Sequence, residues 1–315
     1  MEDYPRSLKE LEARFATPER CLAYLAALRW PDGVSCPRCN GAKGWRVRAT
    51  LECAACGHQT SMTAGTIFQD TRLPLPVWFR AVWGMTTQKN GASALGLSRV
   101  LGISYKSAWT CLHKLRRAMV RPGREQLSGR VEVDESYVGG LEEDVRGRPR
   151  AKKALVVVAA EEDGKGIGRI RMHTIPDAAG TSLVPFILTS VEPGSTVHTD
   201  GWSGYEAVGR HGYIHEVTIL RRSTKQAHDL LPRVHLVMSL LKRWLLGTHQ
   251  GAVGVLHLDS YLDEFTFRFN RRKSRRRGKL FYRLMQQAVT VDPVPYARIT
   301  KHSKPFRLPR AAPKM

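Results

Sequence analysis

The stretch Arg130-Val-Glu-Val-Asp-Glu-Ser-Tyr-Val-Gly-Gly140 alternates apolar and polar residues, as a half-buried strand does. Asp134 falls at its middle, and Glu135 turns to the opposite face, which makes it the poorer ligand candidate. Downstream, Ala154-Leu-Val-Val-Val-Ala-Ala160 reads as a buried strand. Asp163-Gly-Lys-Gly166 turns the chain into Gly168-Arg-Ile-Arg-Met-His-Thr-Ile175, its antiparallel partner. A helix is expected over 182–191, a short strand ending at Asp200, a further strand over 213–220, and a helix with an apolar stripe over 232–248. The succession is three strands, helix, strand, helix, strand, helix: a mixed sheet flanked by helices.

Upstream the pattern is helical and cysteine-rich. Residues 7–30 have apolar positions near helical spacing, with Thr17-Pro-Glu-Arg20 as a helix start. Cys36-Pro-Arg-Cys39 and Cys53-Ala-Ala-Cys56 follow, with about thirteen residues between the pairs. Each Cys-x-x-Cys turn aims two sulfurs at one point, so Cys36, Cys39, Cys53 and Cys56 are expected to hold structural Zn²⁺ in a ribbon. The competing readings, a disulfide pair or a redox motif, fit less well with two matched knuckles. Cys21 and Cys111 lie in apolar surroundings and read as buried thiols. Residues 71–121 look all-helical. Two short helices meet at Gly102-Ile-Ser104, the spacing of a helix-turn-helix, with Tyr105, Lys106 and Ser107 at the exposed start of the second. A plain helical hairpin is the alternative.

Lys+Arg is 50 against Asp+Glu 28, a net charge of +22. Such an excess repels itself unless an anion is present, which points to nucleic acid as partner. No apolar run approaches the ~20 residues of a membrane span. The first residues lack the charged-then-apolar order of a signal peptide, so a cytoplasmic location is expected. Two basic segments are candidate phosphate contacts: the loop with Arg146 and Arg148, and the run with Arg271, Arg272, Arg275, Arg276 and Arg277. Phe265, Phe267 and Phe269 alternate beside the second, as on a strand or an irregular buried segment.

The two aspartates matter most as a pair. On adjacent strands, Asp134 and Asp200 would stand about 4–6 Å apart, and like charges that close need a cation between them. A pair of Mg²⁺ or Mn²⁺ ions answers that need and suits phosphodiester chemistry. A third ligand is expected from the following helix. His235, Ser239 and Lys242 fall at i, i+4 and i+7 on one face, so His235 would complete the site and Lys242 would meet a DNA phosphate.

With these residues in view, the chain resembles the DDE-type insertion-sequence transposases of the zinc-ribbon branch related to Merlin transposons. The likeness spans nearly the whole chain. It rests on the paired knuckles, Met62-Thr-Ala-Gly-Thr-Ile-Phe68, Leu101-Gly-Ile-Ser-Tyr-Lys-Ser-Ala-Trp109, Val133-Asp-Glu-Ser-Tyr-Val-Gly-Gly140, Thr199-Asp-Gly-Trp-Ser-Gly-Tyr205, Leu241-Lys-Arg-Trp-Leu-Leu-Gly-Thr-His249 and the segment Tyr261–Arg272. The resemblance implies a ribonuclease-H-like core that cuts and joins DNA at the ends of a mobile element. It implies Asp134 and Asp200 as the first two metal carboxylates, and Lys242 as the lysine following the third position. Many relatives carry Glu or Asn where this chain has His235, which leaves Glu264 as a spare carboxylate.

The expected fold is therefore α+β and multidomain. It comprises a helical lead-in and zinc ribbon over 1–66, a helix-turn-helix-like region over 67–125, a ribonuclease-H-like catalytic core over 126–290 and a basic tail over 291–315. The expected partners are double-stranded DNA, as element terminal inverted repeats and target, and further copies of the chain. Two other functions share these features: a non-catalytic DNA-binding protein or repressor, and a ribonuclease-H-like nuclease that cuts without joining.

Overall fold

The computed structural model describes residues 2–121, 123–139, 153–219 and 227–300. The basic loop with Arg146 and Arg148, and the tail beyond residue 300, lie outside the described residues. The chain forms two compact units. One is built from the residues up to 121 together with 273–301, the other from the residues between.

The first unit opens with α1 (Leu8–Arg14) and α2 (Pro18–Arg29). The lead-in is two helices because Ser7 and Thr17 each cap a first turn, and Pro18 suits only a helix start. The ribbon follows as an antiparallel sheet of β1 (Gly44–Val47), β2 (Thr50–Cys53) and β3 (Gln59–Ser61). Next come α3 (Leu75–Thr87), α4 (Ala94–Leu101) and α5 (Tyr105–Ala118). Trp78, Phe79, Val82, Trp83 and Met85 bury most of the circumference of α3. Between α4 and α5 the chain turns on Gly102 at φ +64°, a left-handed conformation that a side chain would strain. Ser104 then caps α5 by accepting from the Ser107 amide at 3.1 Å.

The second unit is a five-stranded sheet in the order β6-β5-β4-β7-β8. Its strands are β4 (Arg130–Val138), β5 (Ala154–Asp163), β6 (Gly166–Ile175), β7 (Thr196–Asp200) and β8 (Ile214–Thr218). The first three form an antiparallel meander, β7 runs parallel to β4, and β8 runs parallel to β7. Helix α6 (Gly180–Ser190) covers one face, where Val131, Val133, Val157 and Val197 meet Leu183 and Ile187. After the single turn α7 (Ala227–Leu230), α8 (Pro232–His249) and α9 (Leu258–Phe269) cover the other face, against Val156, Val158 and Ile170. Strand β5 is buried on both faces, which explains its unbroken apolar run. This is a ribonuclease-H-like sheet. The helix expected between β7 and β8 is instead two 3₁₀ turns, Ser203–Tyr205 and Val208–His211. Glycines at 201, 204, 209 and 212 disfavour a regular helix there.

Two further expectations change. Phe265, Phe267 and Phe269 belong to helix α9, not to a strand. Their two-residue spacing arises because α9 is buried around most of its circumference, so consecutive even steps all land in apolar surroundings. The chain then continues into α10 (Arg277–Ala288) and α11 (Tyr296–Thr300), which join the first unit, so the second unit ends at Arg272 and not near 290. The reason is aromatic packing. Phe281 of α10 lies 5.9 Å from Phe79 and 6.3 Å from Tyr24, beside the Phe15–Phe79 pair at 4.6 Å. Among the described residues no helix is long and apolar enough to cross a membrane.

Candidate active site and zinc centre

In the ribbon, the four cysteine sulfurs all lie within 4.8 Å of one another. Cys36 Sγ is 3.7 Å from Cys56 Sγ, and Cys39 Sγ is 3.5 Å from Cys53 Sγ. A tetrahedron with Zn–S bonds of about 2.3 Å has edges of about 3.8 Å, so the sulfurs stand at zinc spacing and well beyond disulfide length. The knuckles hold this geometry through the backbone: the Asn40 amide returns to the Cys36 carbonyl and the Gly57 amide to the Cys53 carbonyl. The donor set fits structural Zn²⁺. Cys21 and Cys111 are buried and stand apart from it, and burial pushes both thiols well up.

The second centre starts on β4. Val131 and Val133 face α6, so Glu132, Asp134 and Ser136 face α8. The β4–β7 register pairs Glu132 with His198. The ladder ends there; two residues further along each strand come Asp134 and Asp200, and the Asp200 charge is felt at Asp134. Helix α8 lies across this face and brings its own side chains down. His235 Nε2 is 3.7 Å from Asp134 Oδ2, and Lys242 Nζ donates to Ser136 Oγ at 2.9 Å. Asp200 Oδ1 accepts from the Trp202 amide at 3.0 Å, and Asp134 Oδ1 from the Glu135 amide at 2.9 Å. Each carboxylate is thus oriented by the main chain.

The electrostatics match the crowding. Burial first, and then the neighbouring Glu135, Asp200 and Glu132 carboxylates, push Asp134 up to about 7. Burial also pulls Lys242 down from the usual lysine range, opposed by the Asp134 charge. Glu135 is raised by burial and by Asp200, and it accepts from the Tyr205 hydroxyl on the α6 face. A buried carboxylate among like charges accommodates a divalent cation better than it accommodates its own ionisation. The three side chains do not converge on one point as the cysteines do: among the described residues only the cysteines form so tight a donor cluster. Asp134 is thus the residue in touch with both others: His235 lies 3.7 Å away and the Asp200 charge helps to raise it.

Glu264 lies elsewhere. Its helix, α9, rides on the edge strand β6, where Asp259 accepts from the Thr174 amide and hydroxyl at 2.9 and 2.7 Å. Glu264 itself is fully buried, 3.5 Å from Arg268. Two strands separate β6 from β7 in the sheet.

The expected DNA contacts divide. Tyr105 and Lys106 are exposed at the start of α5, with the Lys106 ammonium 4.4 Å over the Tyr296 ring. Ser107 is engaged in the Ser104 cap, Oγ to Oγ at 2.9 Å. Arg275, Arg276 and Arg277 are exposed where α10 begins. Arg272 departs from the expectation. Its guanidinium donates to the Gly168, Ile167 and Phe269 carbonyls and stacks 3.9 Å over the Phe269 ring, so it fastens α9 to β6. Arg271 stacks on Phe267 at the same distance and donates to the Phe267 carbonyl at 3.1 Å.

Ser136 is a site residue that the sequence reading missed. Its signal is its position, two residues after Asp134 on one strand face. Arg130 is another. It donates to Glu216 and Glu162 and meets His198 Nδ1 at 3.0 Å, tying β4 to β5, β7 and β8.

Two family models and individual known proteins match parts of this chain. Residues 126–270 match the model of the ISXO2-like transposase domain, and residues 16–59 match the transposase zinc-ribbon domain. An uncharacterized protein in transposable element ISH50 of Halobacterium salinarum is 29% identical over 280 residues, covering 81% of this chain and 91% of that protein. Among solved structures, the Mos1 strand transfer complex aligns at 15% identity over 67% of this chain and 74% of that one, with a TM-score of 0.27. With the ribbon matched at one end and the carboxylate-bearing sheet at the other, the chain carries a transposase zinc-ribbon domain and an ISXO2-like transposase domain.

Proposed function

We propose that this transposase cuts the 3′ ends of its element and joins them to target DNA, using Asp134, Asp200 and His235 to hold two divalent ions. The observation that supports the reading is His235 Nε2 3.7 Å from Asp134, which lies on a strand that runs parallel to the one ending at Asp200, whose charge reaches Asp134. Bound Mg²⁺ or Mn²⁺ supplies activation of the attacking oxygen and charge stabilisation at the leaving oxygen. An imidazole in the third position favours Mn²⁺, which tolerates nitrogen better than Mg²⁺ does.

The chain's own residues then orient the DNA. Lys242, two turns along α8 from His235, meets a phosphate oxygen beside the scissile bond. Water attacks the phosphorus in line with the leaving 3′-oxygen; the freed 3′-OH next attacks a target phosphodiester in the same geometry. No protein nucleophile is needed. Tyr105 and Lys106 contact the element's terminal repeat, and Arg275 and Arg277 contact the phosphate backbone. Since an element has two ends to be joined, the working assembly on DNA is a homo-oligomer.

The test is strand cleavage of DNA carrying the element ends, with Mn²⁺ or Mg²⁺. Asp134→Ala and Asp200→Ala should each abolish cleavage while retaining zinc and DNA binding. Cleavage surviving in either variant would overturn the assignment.

A further inference from the structure

Glu132 is a buried carboxylate that the metal reading leaves without a role. It stands on β4 two residues before Asp134, on the same strand face, and is 1% exposed. Its Oε2 accepts from the backbone amides of Arg233 and Val234 at 2.8 and 3.1 Å, and its Oε1 accepts from Arg233 Nη1 at 2.8 Å. Those amides belong to the first turn of α8, where a helix has unsatisfied donors and a positive end. Arg233 is in turn held by Glu162 at 2.9 Å and by the Gly164 and Gly166 carbonyls of the β5–β6 turn. A buried carboxylate costs stability unless compensated in this way, and an apolar residue would serve the sheet equally well.

The helix and the strand run alongside each other with matched lengths. From residue 132 to 136 a strand advances about 13 Å, and from 233 to 242 a helix advances about 13.5 Å. At one end Glu132 holds Arg233 and Val234; at the other Lys242 reaches Ser136; between them His235 reaches Asp134. We propose that Glu132 is a positioning residue: it clamps the first turn of α8 to β4 and so sets the height at which His235 and Lys242 stand over Asp134 and Ser136. The proposal rests on the two-ion reading above and adds the device that keeps the third donor in register.

The test uses the full zinc-loaded chain, with MnCl₂ alone as the probe. Two readouts are taken: hydrogen exchange at the first-turn amides of α8, and Mn²⁺ affinity by calorimetry. Glu132→Gln keeps the volume but replaces one acceptor oxygen by a donor. It should speed exchange at Arg233 and Val234 and weaken Mn²⁺ binding about tenfold or more, the usual scale for a group supporting a metal ligand, with zinc content and DNA binding retained. Faster exchange with Mn²⁺ affinity within about twofold of the parent chain would overturn the proposal. Should Glu132→Gln not fold, Arg233→Met keeps the backbone bonds and loses only the guanidinium; it should weaken Mn²⁺ binding about threefold, and no weakening would again overturn the proposal. Asp134→Asn separates the two claims. If it leaves Mn²⁺ binding unchanged, the metal reading fails and the positioning role falls with it. If it abolishes binding while Glu132→Gln has no effect, the positioning role alone is lost.

Discussion

Asp134 carries the clearest consequence at the scale of one residue. Its carboxyl is pushed up to about 7 in the folded chain by burial and neighbouring carboxylates, while in the unfolded chain it titrates near 4. The folded state therefore binds this proton more tightly, and without metal its stability falls as pH rises from about 4 through 7. At pH 8 the deficit is about 4 kcal/mol at most. Asp134→Asn removes the charge, so the metal-free variant should melt higher than the parent at pH 8. The gain should shrink below pH 7 and vanish below about pH 4. Thermal melts across pH 4–8 in a chelator check this, and a variant less stable at pH 8 would show that the carboxylate is compensated within the fold. At His235, replacement by Glu exchanges nitrogen for a harder oxygen. His235→Glu should keep cleavage and shift the preference from Mn²⁺ toward Mg²⁺, whereas His235→Ala should impair cleavage with both. Cleavage rates with each ion decide the matter; an unimpaired His235→Ala would exclude the ring from the site.

At the scale of the element, what could be read from sequence depended on whether one periodicity dominated. Strand β4 was legible because Val131, Val133 and Asp134 alternate cleanly, and the facing side of α8 because His235 and Lys242 are seven apart. The zinc knuckles were legible because their spacing has one main use. Helix α9 was not, since its apolar positions meet both a period of two and a period near four. The allegiance of α10 was hidden for a different reason: an amphipathic pattern says that a face is buried, not which surface buries it. Arg272 was hidden because a basic run reads as charge, while three of its hydrogen bonds go to backbone carbonyls. Arg272→Ala should therefore destabilise the second unit by about 2 kcal/mol, the scale of hydrogen bonds to a charged donor plus lost stacking. Denaturant unfolding measures it. A change in DNA affinity at unaltered stability would return Arg272 to the phosphate contacts.

For the whole molecule the governing quantity is the net charge of +22, far larger than solubility requires. Charge of this kind acts on DNA by displacing condensed counterions, so log affinity should fall linearly with log salt, by about 0.9 for each phosphate neutralised. Two classes of contact then give different signatures. The exposed Arg275, Arg276 and Arg277 stand where α10 begins and are proposed as phosphate contacts. Replacing all three by Ala should weaken binding to every DNA sequence about equally and lower the salt slope by about 2 to 3. Tyr105 and Lys106 begin α5; on the proposal that α4 and α5 act as a helix-turn-helix, this is the segment turned toward base edges. Tyr105→Ala should reduce the preference for element ends over unrelated DNA and leave the slope nearly unchanged, because no charge is removed. Lys106→Ala should reduce the preference and lower the slope by about 1. Binding isotherms on both DNAs at four or more salt concentrations separate these outcomes. A flat salt plot would remove the electrostatic argument altogether. A triple-arginine variant that lost preference while keeping its slope would move sequence reading from α5 to the start of α10.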